Sequence, residues 1–151
     1  MIQPIRKTIE VPCNSETAFR IFVDNIAIWW PLDGHSVSAM AGFVAKSVVL
    51  EPRVGGRVYE IAHDDQHHQW GTVRAFKPAE ELTIDWHINV PPEQATQVHV
   101  LFTQLNNVGT RVDLTHSNWE VLGDRASGMR DGYNNGWVNV FERRYREACE
   151  T

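Results

Sequence analysis

Two ionisable residues stand where a sequence of this kind could do chemistry. His116 follows Val112 and Leu114 at every second position, so its imidazole is expected on the inner face of a strand. There it can exchange a hydrogen bond with a bound molecule, or as a core residue bond the backbone. Glu60 is ambiguous: Val58 and Glu60 share one face of a strand, Tyr59 and Ile61 the other, and a slip of one residue exchanges them. Pointing inward, its carboxyl would have a raised pKa and could orient a polar ligand group or act as a general acid.

Around these lie six tryptophans, Trp29, Trp30, Trp70, Trp86, Trp119 and Trp137. Large amphipathic rings spread over separate elements suit the wall of a concave surface. Trp29 or Trp30 is expected at the mouth, as part of a lid. Trp86, Trp119 and Trp137 are expected in the wall, with Phe102 from a strand and Tyr133 from the last helix. The candidate ligand-binding set is therefore Trp29, Glu60, Trp86, Phe102, His116, Trp119, Tyr133 and Trp137.

Other patterns carry less. His63, His67 and His68, with Asp64 and Asp65, fall in a predicted hairpin turn without a fixed ligand spacing, so no metal is expected. Gly55-Gly56-Arg57 precedes a strand rather than a helix N-terminus and reads as a turn, not a phosphate loop. No Ser/His/Asp or Cys/His set emerges, and no catalytic residue or cofactor is assigned.

Composition bounds the answer. The 151 residues suit one domain, taken as 1–151, with 42% hydrophobic and 22% charged residues typical of a folded globular chain. Fourteen Lys and Arg against 19 Asp and Glu give a net charge of −5. Without a basic cluster, nucleic acid is not an expected partner. No leader or membrane-length apolar run is evident, so a cytoplasmic location without membrane contact is expected. Cys13 and Cys149 are read as free thiols.

The elements that must position the candidates follow from pattern. Ile2 to Val11 alternates as a strand ending at Pro12; Asn14 or Ser15 caps a short helix, and Asp24 caps a second, Asn25 to Trp30, stopped by Pro31. Six more strands are expected: Val44 to Leu50, Arg57 to Ala62, Gln69 to Phe76, Leu82 to Ile88, Gln97 to Leu105 and Thr110 to Ser117. Short turns between them make an antiparallel meander. Asp131 is expected to cap a final helix whose stripe is Tyr133, Trp137, Val140, Phe141, Tyr145 and Ala148. Its solvent face would carry Glu142 with Arg146 and Arg143 with Glu147. These elements bury their apolar faces together only if the sheet curves around the last helix, an α+β arrangement.

In that order, Glu51-Pro52-Arg53-Val54-Gly55-Gly56-Arg57-Val58-Tyr59-Glu60, Trp70-Gly71-Thr72-Val73, Gly109-Thr110-Arg111-Val112 and Gly136-Trp137 resemble the activator of heat shock protein 90 ATPase homologues of bacterial type, within the SRPBCC or START-like superfamily. The resemblance implies a helix-grip fold: a seven-stranded curved antiparallel sheet wrapped on a long C-terminal helix, two short helices after the first strand, and a deep apolar cavity. It does not fix function, because one scaffold serves carriers, receptors and cyclases.

The expected role is binding of a small hydrophobic or aromatic ligand. The runner-up is a cyclase, dehydratase or hydrolase using Glu60 and His116 in the same cavity. A chaperone partner is the third reading; the eukaryotic co-chaperones carry an additional N-terminal domain absent from these 151 residues, so it is not the one favoured. Pairing of two copies as a homodimer is left open.

Overall fold

In the computed structural model residues 2–151 are described; Met1, the first residue of the expected domain, lies outside them. Seven strands form one antiparallel sheet in the order β1-β7-β6-β5-β4-β3-β2. They are β1 (Ile5–Val11), β2 (Ser47–Leu50), β3 (Arg57–Ile61), β4 (His67–Lys77), β5 (Glu81–Trp86), β6 (Thr96–Gln104) and β7 (Thr110–Ser117). Alternation along them is strict where the sequence is, as in Thr110, Val112, Leu114 and His116, all buried.

The sheet is bent by two irregularities. The register passes from Val58 opposite Gly71 to Tyr59 opposite Gln69, leaving Trp70 as the extra residue of a bulge; a second shift lies between Val73 and Ala75. Bulges of this kind kink a strand and increase its twist, which turns a meander into a grip. Gly71 is required at the first bend. A Cβ there would stand 2.3 Å from the Asp85 carbonyl oxygen and 2.8 Å from Ile84 Cγ2, too close for any side chain.

Between β1 and β2 run α1 (Ser15–Asp24), α2 (Ile26–Trp29) and α3 (Val37–Met40). Asn14 caps α1, its Oδ1 accepting from Thr17 N at 2.8 Å. Phe19 and Phe22 of α1 meet Phe76, Phe102, Trp29 and Tyr145 edge-on or tilted at 5.1–6.1 Å. The expected Asp24 cap of the second helix is not used, since Asn25 occupies that position without a side-chain bond. The third helix was not expected from the sequence.

The last helix corrects its expected start. It begins at Ala126, growing out of a 3₁₀ stretch, Trp119–Arg125, as α4 (Ala126–Trp137); Asp131 is an exposed residue within it. Arg125 already has helical backbone angles and offers no side-chain cap, so the sequence carries no start signal there. The helix continues through wider π turns over Val138–Tyr145 and ends as α5 (Arg146–Cys149). That widening shifts which residues stack. Arg143 reaches Glu147 at 3.4 Å as expected, but Glu142 pairs with Lys7 of β1 at 3.4 Å in place of Arg146.

Candidate ligand cavity

A cavity of about 340 Å³ opens where the helix meets one end of the sheet. Its walls come from three segments: residues 30–40 after α2, the turn after β5 at 88–90, and one face of the terminal helix. Trp30, Met40, Ile88 and Val90 line one side, and Met129, Tyr133, Trp137 and Val140 the other. The helix also contributes Gly132 and Gly136. A Cβ at Gly132 would meet nothing within 4 Å, and one at Gly136 would lie 3.5 Å from His35 Cε1. Side chains omitted at these two positions are what keep the space open. The volume lies within the range of small-molecule sites, roughly 300–1,000 Å³.

Trp30 organises the aromatic wall. Its ring lies 5.8, 5.1, 5.8 and 5.9 Å from those of Trp29, Trp70, Trp86 and Trp137, and its Nε1 donates to the His35 carbonyl at 2.7 Å. Polar side chains at the cavity are few: His35, Ser36, Asn89, Arg125 and the Tyr133 phenol. Burial pushes the His35 imidazole below its ordinary pKa, against a smaller opposing pull from Asp33.

Of the residues expected to touch a ligand, Tyr133 and Trp137 line this cavity. The other six lie elsewhere. Trp29 is in the core, donating from Nε1 to the Ile21 carbonyl at 2.9 Å and packing on Phe22 and Tyr145; its neighbour Trp30, also buried, is the one of the pair that lines the cavity. Phe102 is packed against Phe19 and Phe22. Trp86 donates to Tyr133 Oη at 3.0 Å and Trp119 to the His116 carbonyl at 2.9 Å. These two rings line only a void of about 10 Å³, room for about one water.

Glu60 and His116 point inward, yet both are saturated by protein partners. The Glu60 carboxylate accepts four hydrogen bonds: Oε1 from Val37 N (2.7 Å) and Trp70 Nε1 (3.1 Å), Oε2 from Ser38 N (2.9 Å) and Ser38 Oγ (2.8 Å). Ser36 Oγ accepts from Ala39 N at 2.9 Å. Together they satisfy the first three amides of α3, so a carboxylate from the sheet caps the short helix. Glu60 thus fastens the segment that forms one wall of the cavity.

His116 joins sheet to helix. Trp137 Nε1 donates to its Nδ1 at 3.0 Å, and its Nε2 lies 2.7 Å from Thr96 Oγ1, which itself donates to the Trp86 carbonyl at 3.2 Å. With Nδ1 accepting, the ring proton sits on Nε2 and donates to Thr96. Burial lowers the imidazole pKa to about 3, so it is neutral at physiological pH. His116 is a positioning residue for Trp137. Because neither Glu60 nor His116 lines the cavity, an acid–base pair made from them has no substrate space between its members.

Of the histidines expected in a turn, His67 and His68 instead begin β4, paired with Ile61 and Glu60 of β3. His63 stacks on Phe43 at 4.0 Å and His67 on Tyr59 at 4.9 Å, and among the described residues no three His, Cys, Asp or Glu are placed to hold a metal. Sequence reasoning entered Trp29 rather than Trp30 in the binding set and missed His35, Met129, Gly132 and Arg125. The available signal was glycine at every fourth position, Gly128, Gly132 and Gly136, which removes side chains from one helix face.

A curved seven-stranded antiparallel sheet packed on a C-terminal helix, with a cavity between that helix and the loops at one end of the sheet, defines the helix-grip class of SRPBCC-type proteins. Within that class the chain belongs to the family described as Activator of Hsp90 ATPase homolog 1-like protein, which it matches over residues 12–143. Among solved structures it is similar to Txn09, an anthrahydroquino-gamma-pyrone synthase, with 26% identity, TM-score 0.69 and 97% of each chain covered. It is similar to CalC, a self-sacrificing resistance protein from Micromonospora echinospora, with 25% identity, TM-score 0.72, and 95% of this chain and 92% of that one covered. The Aha1 dimer from Colwellia psychrerythraea shares the fold at 19% identity, TM-score 0.70, covering 99% and 97%. No curated protein matches the chain. Among the described residues no helix is long and apolar enough to cross a membrane.

Proposed function

We propose that this chain binds a small apolar or aromatic molecule in the cavity between its C-terminal helix and the segments at residues 30–40 and 88–90. The carrying observation is the cavity itself: about 340 Å³, walled by Trp30, Tyr133, Trp137 and Met129, and left open by Gly132. Flat rings and polarisable sulfur favour an aromatic guest through offset or edge contacts and S–aromatic contacts. The likeness to Txn09, named for making an anthrahydroquino-gamma-pyrone, supports a fused-ring ligand of that general kind.

The test uses the glycine. In Gly132→Leu the new side chain fills empty space on the helix face, and replacing a mid-helix glycine gains roughly 0.5–1 kcal/mol of helix stability. Tryptophan fluorescence is titrated with a panel of lipids, aromatics and polyketide-like compounds, Trp30 and Trp137 being the reporters. Saturable quenching in the native chain, lost by at least about tenfold in affinity in Gly132→Leu with the thermal midpoint held or raised, is the expected result. Equal affinity in the two proteins would put the ligand outside the cavity.

A further inference from the structure

We propose that the cavity selects ligands bearing one anionic group, a carboxylate, sulfonate or comparable oxyanion on an aromatic body, anchored at its mouth by Arg125. This rests on the ligand-binding reading above and adds the ligand's charge to it. No Asp or Glu lines the cavity, and Arg125 is the one lining residue whose side chain is always charged. Burial holds His35, the other ionisable basic group there, below its ordinary pKa, against a smaller pull from Asp33.

The guanidinium is held but not neutralised. Arg125 Nη2 donates to Gln94 Oε1 at 2.7 Å, a neutral acceptor, and among the described residues Arg125 makes no ion pair. Its sequence neighbour Asp124 does not pair with it. A guanidinium has five N–H donors in a planar fork, so most remain for a two-oxygen acceptor. Asn89, which also lines the cavity, is exposed and its Nδ2 has only the Met40 sulfur at 4.0 Å, which leaves an amide donor with spare capacity. The backbone of Asn89 is left-handed, with φ of 58°, a conformation that asparagine tolerates better than most residues and that fixes this turn at the rim. A ligand with its rings against Trp30 and Trp137 and its acid at the mouth satisfies both features.

Two fluorescent probes separate charge from shape: 8-anilinonaphthalene-1-sulfonate and its uncharged parent, N-phenyl-1-naphthylamine. Both are titrated into the native protein, Arg125→Gln and Gly132→Leu at low and high salt. Arg125 is exposed, so its contribution is screened; a loss of roughly three- to tenfold for the sulfonate in Arg125→Gln, shrinking with salt, is expected. The uncharged probe should stay within about twofold. An unchanged sulfonate affinity, or equal losses for both probes, overturns the proposal while leaving the cavity reading intact. If Gly132→Leu weakens neither probe, the cavity reading falls and this one with it.

Discussion

His116 stores an acid-side dependence in a single residue. Burial lowers its pKa to about 3 from an ordinary value of 6.5, and the groups that face it, Thr96, Trp119, Tyr133 and Trp137, bring no negative charge; Tyr133 itself is pushed up to about 12. The unfolded chain therefore binds the proton first as pH falls. Stability from the neutral ring is complete above about pH 6.5 and is lost progressively toward pH 3, on the order of a few kcal/mol in all. Urea midpoints at pH 7, 5.5 and 4 should fall for the native protein. In His116→Gln they should start lower, because the bonds to Trp137 and Thr96 are altered, and fall less steeply; parallel slopes would show that another group controls the acid limb. Strand parity was enough to put His116 inside. Its partner could not be read, because Trp137 lies 21 residues away on a helix whose contact with the sheet is set by tertiary packing.

At the scale of elements, the short helix α3 and the wall it forms depend on the sheet. Residues 36–40, Ser-Val-Ser-Ala-Met, have no periodicity long enough to announce a helix, and four helical residues are marginal alone. What stabilises them is Glu60, 22 residues downstream of Ser38, a cap no local window can reveal. Likewise the terminal helix starts early because it continues a 3₁₀ stretch rather than being capped, and its pairing pattern shifts where π turns begin. Long periodic strands were legible; helix ends set by distant side chains were not. Removing the cap tests this. Glu60→Ala leaves the Val37 and Ser38 amides and the Trp70 indole N–H without their acceptor, costing about 2–4 kcal/mol. Beyond a lower urea midpoint, amide exchange at Val37 and Ser38 should accelerate more than exchange in β6 and β7. Uniform acceleration would mean that Glu60 supports the core as a whole and not this wall.

For the whole molecule, the N-terminal segments of the chain are fastened to its C-terminal helix. Lys7 pairs with Glu142, Arg130 donates to the carbonyls of Gln3 at 2.6 Å and Pro4 at 3.2 Å, and the Tyr145 hydroxyl donates to the Ala18 carbonyl at 2.6 Å. Composition and strand spacing foretold a sheet wrapped on one helix, because no other arrangement buries both faces, but these long-range clasps join positions over 100 apart in sequence. The two thiols lie at the same seam, in mutual contact and unoxidised, Cys149 almost fully buried. Burial pushes the Cys149 thiol up to about 12, so at pH 8 it supplies almost no thiolate, the form that reacts. The unfolded chain has a thiol of ordinary pKa and loses its proton first as pH rises. Stability from the buried neutral thiol is thus intact below about pH 8.5 and declines above it. In a Cys13→Ser background, Ellman's reagent at pH 8 should modify Cys149 slowly, at a rate that rises with urea in step with global unfolding. A fast reaction without urea, while far-ultraviolet dichroism still reports the native fold, would show that the terminal helix frays from α1 and that the clasp does not hold the ends together.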